Sequence, residues 1–209
     1  QIDNAIEAFG LNMGPFRMMD LIGLDLGWRA RKLAGVDSPL TNKIADTLCE
    51  NERFGQKNSK GFYNYSEGSR APNPAPENEE IYFKISEENG FTRREISDEE
   101  IVDRCILALV NEGAKILEEG VAQRASDMDI VYINGYGFPV WRGGPMFYAN
   151  SLGLDKVLEK LKGFQEIDSD FWKPADLLEK LAKDELKFGE APDINERKGK
   201  MKFPDIVGY

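Results

Sequence analysis

The sequence predicts an all-α protein made of two homologous helical halves. Three observations carry that prediction. The stretch YGFPVWRGGPMFYANSLGLD, Tyr136 to Asp155, has an earlier relative in FGLNMGPFRMMDLIGLD, Phe9 to Asp25. Both hold an aromatic-Gly pair, then Gly-Pro, then Gly-Leu-Asp, and eight positions separate Pro15 from Gly23 and Pro145 from Gly153. Ordered anchors at shared spacing mark a duplication, which is settled before any other feature. Apolar residues also recur at helical spacing through both halves. Finally, Gly and Pro fall where helices stop and start.

Residues 1–9 read as the last turns of a helix, with Ile2, Ala5, Ile6 and Phe9 on one face. Gly10 stops it. Pro15 opens the next helix, where its missing N–H costs nothing. Phe16, Met19 and Ile22 are its expected apolar face, and Gly23 ends it. Asp25 is placed as the cap of a third helix with Leu26, Ala30 and Leu33 inside and Gly35 after its end. Ser38-Pro39 opens a fourth, whose stripe is Leu40, Ile44 and Leu48. Glu52 to Tyr65 turns at Gly55 and Gly61, and its Phe62, Tyr63 and Tyr65 rings cover the helices. Lys57 and Lys60 read as a solvated turn.

Pro72, Pro74 and Pro76 mark a composition break, read as an extended linker over 66–96 in which Ile81, Phe83 and Ile85 alternate as a short strand or strap. Ser97 to Glu100 is a capping box. The helix it starts runs to about Glu119 with a broad apolar face. A shorter helix from about Ser126 to Asn134 follows, and its Met128-Asp129 corresponds to Ile2-Asp3. Beyond the second motif, Leu154, Val157, Leu158 and Leu161 form a helix stopped by Gly163. Pro174 opens the last, with Leu177, Leu178 and Leu181 inside. The expected domains are thus 1–65, 97–189 and a tail at 190–209.

Composition narrows the function classes. The 209-residue chain is 41% hydrophobic and 31% charged, as in globular proteins, and its net charge of −10 disfavours nucleic acid and anionic membranes as partners. Its two cysteines, Cys49 and Cys105, sit in helical patterns and fit a reducing compartment. Histidine is absent, which removes the commonest general base, the Ser-His and Cys-His pairs and most zinc sites. No metal site is readable. Asp129, Asp155 and Glu118-Glu119 are assigned to helix capping and solvated faces. The long helix before the second motif has no counterpart ahead of the first, so the chain is expected to be the C-terminal piece of a longer protein.

The two motifs, with RFGQKNSKGFYNY and ALVNEGAKILEEGVAQRASDMDIVYINGYGFPVWRGGPMFYA, resemble the C-terminal domains of L-3-hydroxyacyl-CoA dehydrogenase. They resemble more closely the tandem C-terminal domains of multifunctional fatty-acid β-oxidation enzymes, in which an enoyl-CoA hydratase/isomerase is fused to the dehydrogenase. The resemblance covers about residues 1–189. It implies a 6-phosphogluconate dehydrogenase C-terminal-like fold, the two copies packed as an internal pseudo-dimer. It also implies oxidation of a 3-hydroxyacyl-CoA with NAD held by a domain absent from this chain. The implied partners are an acyl-CoA and the N-terminal Rossmann and hydratase domains; the implied location is a bacterial cytoplasm or a peroxisomal matrix.

The family's Gly-rich loop, His-Glu pair and assisting Asn have no positions here, so no catalytic, cofactor-binding or metal residue is assigned to this segment. Asn111 is assigned a packing role. Gly14, Gly143 and Gly144 allow close backbone approach, and Trp141, Met146, Phe147 and Tyr148 are assigned to packing. Met13, Gly14, Pro15 and Phe16 are the candidate substrate-binding set, because the first copy adjoins the missing catalytic domain in the family. A reading from another class is a stand-alone, non-catalytic interaction or dimerisation module.

Overall fold

The computed structural model describes residues 1–189; the expected tail at 190–209 lies outside them. The described residues form ten α-helices and one short β-ribbon. They divide into a first unit, Gln1–Glu7 with Met13–Ser97, and a second unit, Ala8–Asn12 with the chain from Asp98 onward.

The first unit holds α1 (Ile2–Phe9) up to Glu7, α2 (Pro15–Ile22), α3 (Asp25–Ala34), α4 (Lys43–Glu50) and α5 (Glu79–Glu88). Its core is Leu24, Ala45, Leu48, Cys49 and Phe62, with Phe16, Trp28 and Tyr82 packed against it. Helix α2 starts on Pro15 and stops at Gly23, whose φ of 102° admits no ordinary side chain. Strand β1 (Asn64–Tyr65) pairs antiparallel with β2 (Pro72–Asn73), Asn64 opposite Asn73.

Several expected faces are corrected here. On α2 only Phe16 turns towards the core, whereas Met19 and Ile22 are exposed and the buried residue is Asp20. On α3 the expected core residues Leu26, Ala30 and Leu33 all face outward, Leu33 at 90% exposure. The cause is electrostatic. Asp25 is buried and pairs with Lys57 and Arg29, while Arg31 pairs with Asp46. A buried carboxylate must be partnered, and these pairs rotate α3 so that Leu24 and Trp28 face inward. Asp25 is therefore an ion-pair partner in the first turn, not the cap, and Lys57 is more than a solvated turn residue. Leu40 lies exposed in a 3₁₀ turn ahead of α4.

The stretch expected as an extended linker holds α5 instead. Ile81, Phe83 and Ile85 alternate, but Ile81 and Ile85 are also four apart, so those two fit a helix face. Ile85 is buried and Phe83 points out. Just before α5, Asn78 is fully buried and donates its amide to the carbonyls of Gly61 (3.1 Å) and Phe62 (3.0 Å). The composition misled because prolines occupy only the approach to the helix, where they are tolerated.

The second unit holds α6 (Asp98–Glu118), α7 (Ala125–Gly135), α8 (Pro145–Leu152), α9 (Leu154–Gln165) and α10 (Asp176–Lys183). Leu107, Val110, Met146, Val157, Leu161 and Leu178 are at the centre of its core. Helix α6 lies close on α8: a Cβ on Gly113 would sit 2.7 Å from the Met146 sulfur. Contrary to expectation, α9 runs through Gly163, whose cost of about 1 kcal/mol is outweighed by the buried face of the helix. A smaller cluster joins Phe9, Ile106 and Phe138, with Arg142 stacked 3.9 Å over the Phe9 ring and donating to the Phe9 carbonyl. Among the described residues, no helix is long and apolar enough to cross a membrane.

The helical α5 predicts opposite outcomes at neighbouring positions. Ile85→Ala should lower unfolding free energy by about 2–4 kcal/mol, and Phe83→Ala by less than about 0.5 kcal/mol. Urea titration checks both; similar losses would indicate the strand face instead.

Candidate functional site: the two Gly-Pro helix starts

The first turns of α2 and α8 leave backbone N–H groups without intrahelical partners. Pro15 and Pro145 remove one donor, so the next two become the ones to satisfy. In the first copy a carboxylate on the preceding helix supplies the acceptor. Asp3, 2% exposed, accepts the N–H of Phe16 (2.9 Å) and of Arg17 (3.0 Å). Asp129 does the same in the second copy, accepting from Met146 (2.8 Å) and Phe147 (3.2 Å). The helix dipole favours a negative charge at these points.

The glycine before each proline is required by space. A Cβ on Gly14 would lie 2.3 Å from the Cβ of Asp3, and one on Gly144 would lie 2.4 Å from that of Asp129. Gly144 also has φ of 92°. Desolvation pushes the Asp129 carboxyl above the ordinary carboxylate range, against the pull of its two N–H donors.

A second clip closes each copy. Asp20 accepts the N–H groups of Phe62 (2.8 Å) and Tyr63 (3.0 Å) and the hydroxyl of Tyr65 (2.9 Å). Burial raises its carboxyl, opposed by these donors and by Arg53. Asn150, its counterpart counted from the Gly-Pro pairs, both donates to the Phe188 carbonyl (3.1 Å) and accepts the Phe188 N–H (2.9 Å). The Tyr63 hydroxyl donates to Asp3 (2.8 Å) and so ties the closing segment back to α1.

Met13, Pro15 and Phe16 are half-buried and Gly14 is buried. Gly14 donates to Glu7 (3.2 Å), which also pairs with Arg17. The Phe16 ring lies 4.4 Å from that of Phe62, centre to centre, so it is partly committed to the core. Asn111 is buried on α6, donating to the Lys173 carbonyl (2.9 Å) and accepting from Ala175 (2.8 Å); it fixes the segment leading into α10. Asp3 and Asp20 were not singled out from sequence, although the correspondence of Ile2-Asp3 with Met128-Asp129 was the signal for the first.

Little of this arrangement is suited to moving protons. The buried carboxylates are engaged by N–H and hydroxyl donors, and the Cys49 thiol is pushed up to about 11 by burial and the nearby Asp25 and Asp46. Among the described residues no group of three His, Cys, Asp or Glu side chains is placed to hold a metal. A dinucleotide phosphate does not fit either: both glycine-preceded helix starts already hold a carboxylate, which repels a phosphate.

The family described as 3-hydroxyacyl-CoA dehydrogenase, C-terminal domain, matches residues 1–65 and 101–192, one segment for each copy. The chain belongs to this family. The match leaves out the stretch that carries α5, which sets that helix apart from the repeated domain. A peroxisomal bifunctional enzyme of Danio rerio is 41% identical over 198 residues, 87% of this chain and 28% of that protein. The fatty acid oxidation complex subunit alpha of Pseudomonas savastanoi pv. phaseolicola is 33% identical, over 91% of this chain and 27% of that protein. The solved dehydrogenase part of multifunctional enzyme 1 from C. elegans superposes with a TM-score of 0.68 at 30% identity, covering 86% of this chain and 41% of its own. The chain thus spans little more than a quarter of the curated relatives it matches.

The helix-start carboxylate predicts a pH signature. Asp129→Ala should cost about 1–2 kcal/mol at pH 7. Because the folded carboxyl titrates above the unfolded value of about 3.9, the folded state takes up its proton first. Lowering the pH through that range should stabilise the parent relative to Asp129→Asn, levelling off near the unfolded value. Urea melts of the two proteins between pH 7 and 4 measure the difference, and parallel curves would contradict it.

Proposed function

We propose that this chain is the C-terminal, non-nucleotide part of an NAD-dependent 3-hydroxyacyl-CoA dehydrogenase acting in fatty-acid β-oxidation. In this reading, an N-terminal domain outside the chain binds NAD and supplies the acid-base residues, and an enoyl-CoA hydratase/isomerase is fused ahead of it. The second copy takes the structural place that a partner subunit's domain would fill. The name of the Danio rerio relative supports a peroxisomal location, and the Pseudomonas relative keeps a bacterial cytoplasm as the other reading.

The observation that carries the proposal is a difference between the copies. Leu21, Leu26, Leu33 and Val36 are large, apolar and exposed in the first copy. Counted from the two Gly-Pro pairs, their counterparts are Ser151, Lys156, Gly163 and Glu166. One copy thus exposes large apolar residues at positions where the other is polar, and exposed apolar surface of this kind suits a contact. A further domain of a longer dehydrogenase fits that face.

Met13, Gly14, Pro15 and Phe16 then line the acyl part of the substrate site. Their backbone is held by Asp3 and Glu7, which gives the rigid support that a binding wall needs. The chemistry itself lies elsewhere, because the carboxylates near this set are already engaged.

Two measurements test the reading. The purified chain should show no oxidation of NADH with acetoacetyl-CoA; measurable turnover would refute the assignment of the acid-base groups to another domain. In a full-length protein carrying this chain, Met13→Ala should lower kcat/KM for medium-chain substrates about tenfold, a loss of about 1.4 kcal/mol, with little change for acetoacetyl-CoA. Equal effects on both would remove the set from the acyl site.

A further inference from the structure

The second unit contains a feature that the proposed dehydrogenase role does not use. A cavity of about 500 Å³ opens between α6, α7 and the loop that joins them. That size falls within the range of about 300–1,000 Å³ typical of small-molecule sites. Its lining is mainly apolar, with Leu109, Ile116 and Val131 among the wall residues. Met128 and Met146 also line it, and their sulfurs come together at Gly113, where a Cβ would sit 2.7 Å from one and 3.4 Å from the other. Unbranched thioether side chains adapt to a flexible aliphatic chain.

The charged lining is of one sign, with Gln123 the neutral polar residue beside it. Glu112 and Asp127 contribute exposed carboxylates, and no Lys or Arg is among the lining residues. Lys115 stands 3.7 Å from Glu112, an i,i+3 pair on the α6 surface that is largely screened by solvent. Beside the carboxylates, the rings of Tyr132 and Tyr136 lie tilted by 33° with centroids 5.1 Å apart. Aromatic faces together with carboxylates over an apolar cavity recognise an alkylated ammonium group. Charge complementarity rejects an anionic head group.

We infer that this cavity binds an aliphatic amphiphile with a quaternary ammonium head, the tail along Leu109, Ile116 and Met128 and the head between Glu112, Asp127 and the tyrosine pair. The site belongs to the second copy alone and does not depend on the dehydrogenase reading. Calorimetric titration of the whole chain with decyltrimethylammonium, kept below its micelle concentration, should give saturable one-to-one binding. Decanoate, with the same tail length and opposite charge, should bind at least about tenfold more weakly. Val131→Trp, a change at an exposed wall residue, should abolish binding without altering the melting temperature. Glu112→Gln with Asp127→Asn should shrink the preference between the two heads to less than about threefold. Tail contacts should appear as cross-peaks between ligand methylenes and the methyl groups of Met128 and Leu109. Absence of saturable binding, equal affinity for decanoate, or unchanged binding by Val131→Trp would each overturn the inference.

Discussion

Each copy of the repeat turns on one buried carboxylate placed at the start of a helix. The chain must reverse between α1 and α2, and again between α7 and α8, and each reversal ends in a proline that contributes no donor. Two backbone N–H groups are then left facing inward, and leaving them unpaired costs about 1–3 kcal/mol each. Asp3 and Asp129 meet that need from the side of the preceding helix. Because the acceptor reaches in from another element, the interaction fixes the packing of two helices as well as capping one. The glycine follows from the same geometry, since the aspartate's own backbone occupies the space a Cβ would take.

This dependence explains which parts of the fold were legible in the sequence. Helix starts at Pro15 and Pro145 and the stop at Gly23 are backbone rules, local to a few residues, and are visible directly in the sequence. The duplication was visible because those rules recur at shared spacing. The inward face of α3 was not. Its apolar pattern points to Leu26 and Leu33, but distant residues, Lys57 and Asp46, decide which side of the helix is buried. Helix α5 was obscured by the prolines before it and by residues whose spacing fits strand and helix alike. At the candidate site, Gly14 and Pro15 were legible as geometry, whereas the commitment of the Phe16 ring to Phe62 depends on a closing segment far along the chain.

The first copy concentrates charge, with Asp20, Asp25, Asp46 and Arg53 all buried. The second buries only Asp129 among its described charged residues and relies on Leu, Val and Met. Buried ion pairs contribute little net stability compared with apolar packing of similar volume, but removing one partner is costly. The first copy therefore gains a fixed arrangement around the Gly-Pro turn more than it gains free energy. Such a fixed arrangement is the support that the proposed substrate wall requires.

The two closing clips show how one side-chain difference shapes a longer stretch. Asn150 carries both a donor and an acceptor, so it satisfies both backbone groups of one residue, Phe188. Asp20 when ionised can only accept. It must collect donors from several residues, and it takes them from Phe62, Tyr63 and Tyr65. A longer aromatic segment is therefore needed to close the first copy, with Gly61 kept bare because a Cβ there would fall 2.0 Å from the Asp20 carboxylate. With that segment over α2, the Gly61 carbonyl accepts from Arg53 (2.9 Å), and Asn78, just ahead of α5, donates to the carbonyls of both Gly61 and Phe62. The helix outside the repeat is thus tied through Asn78 to the segment that Asp20 holds.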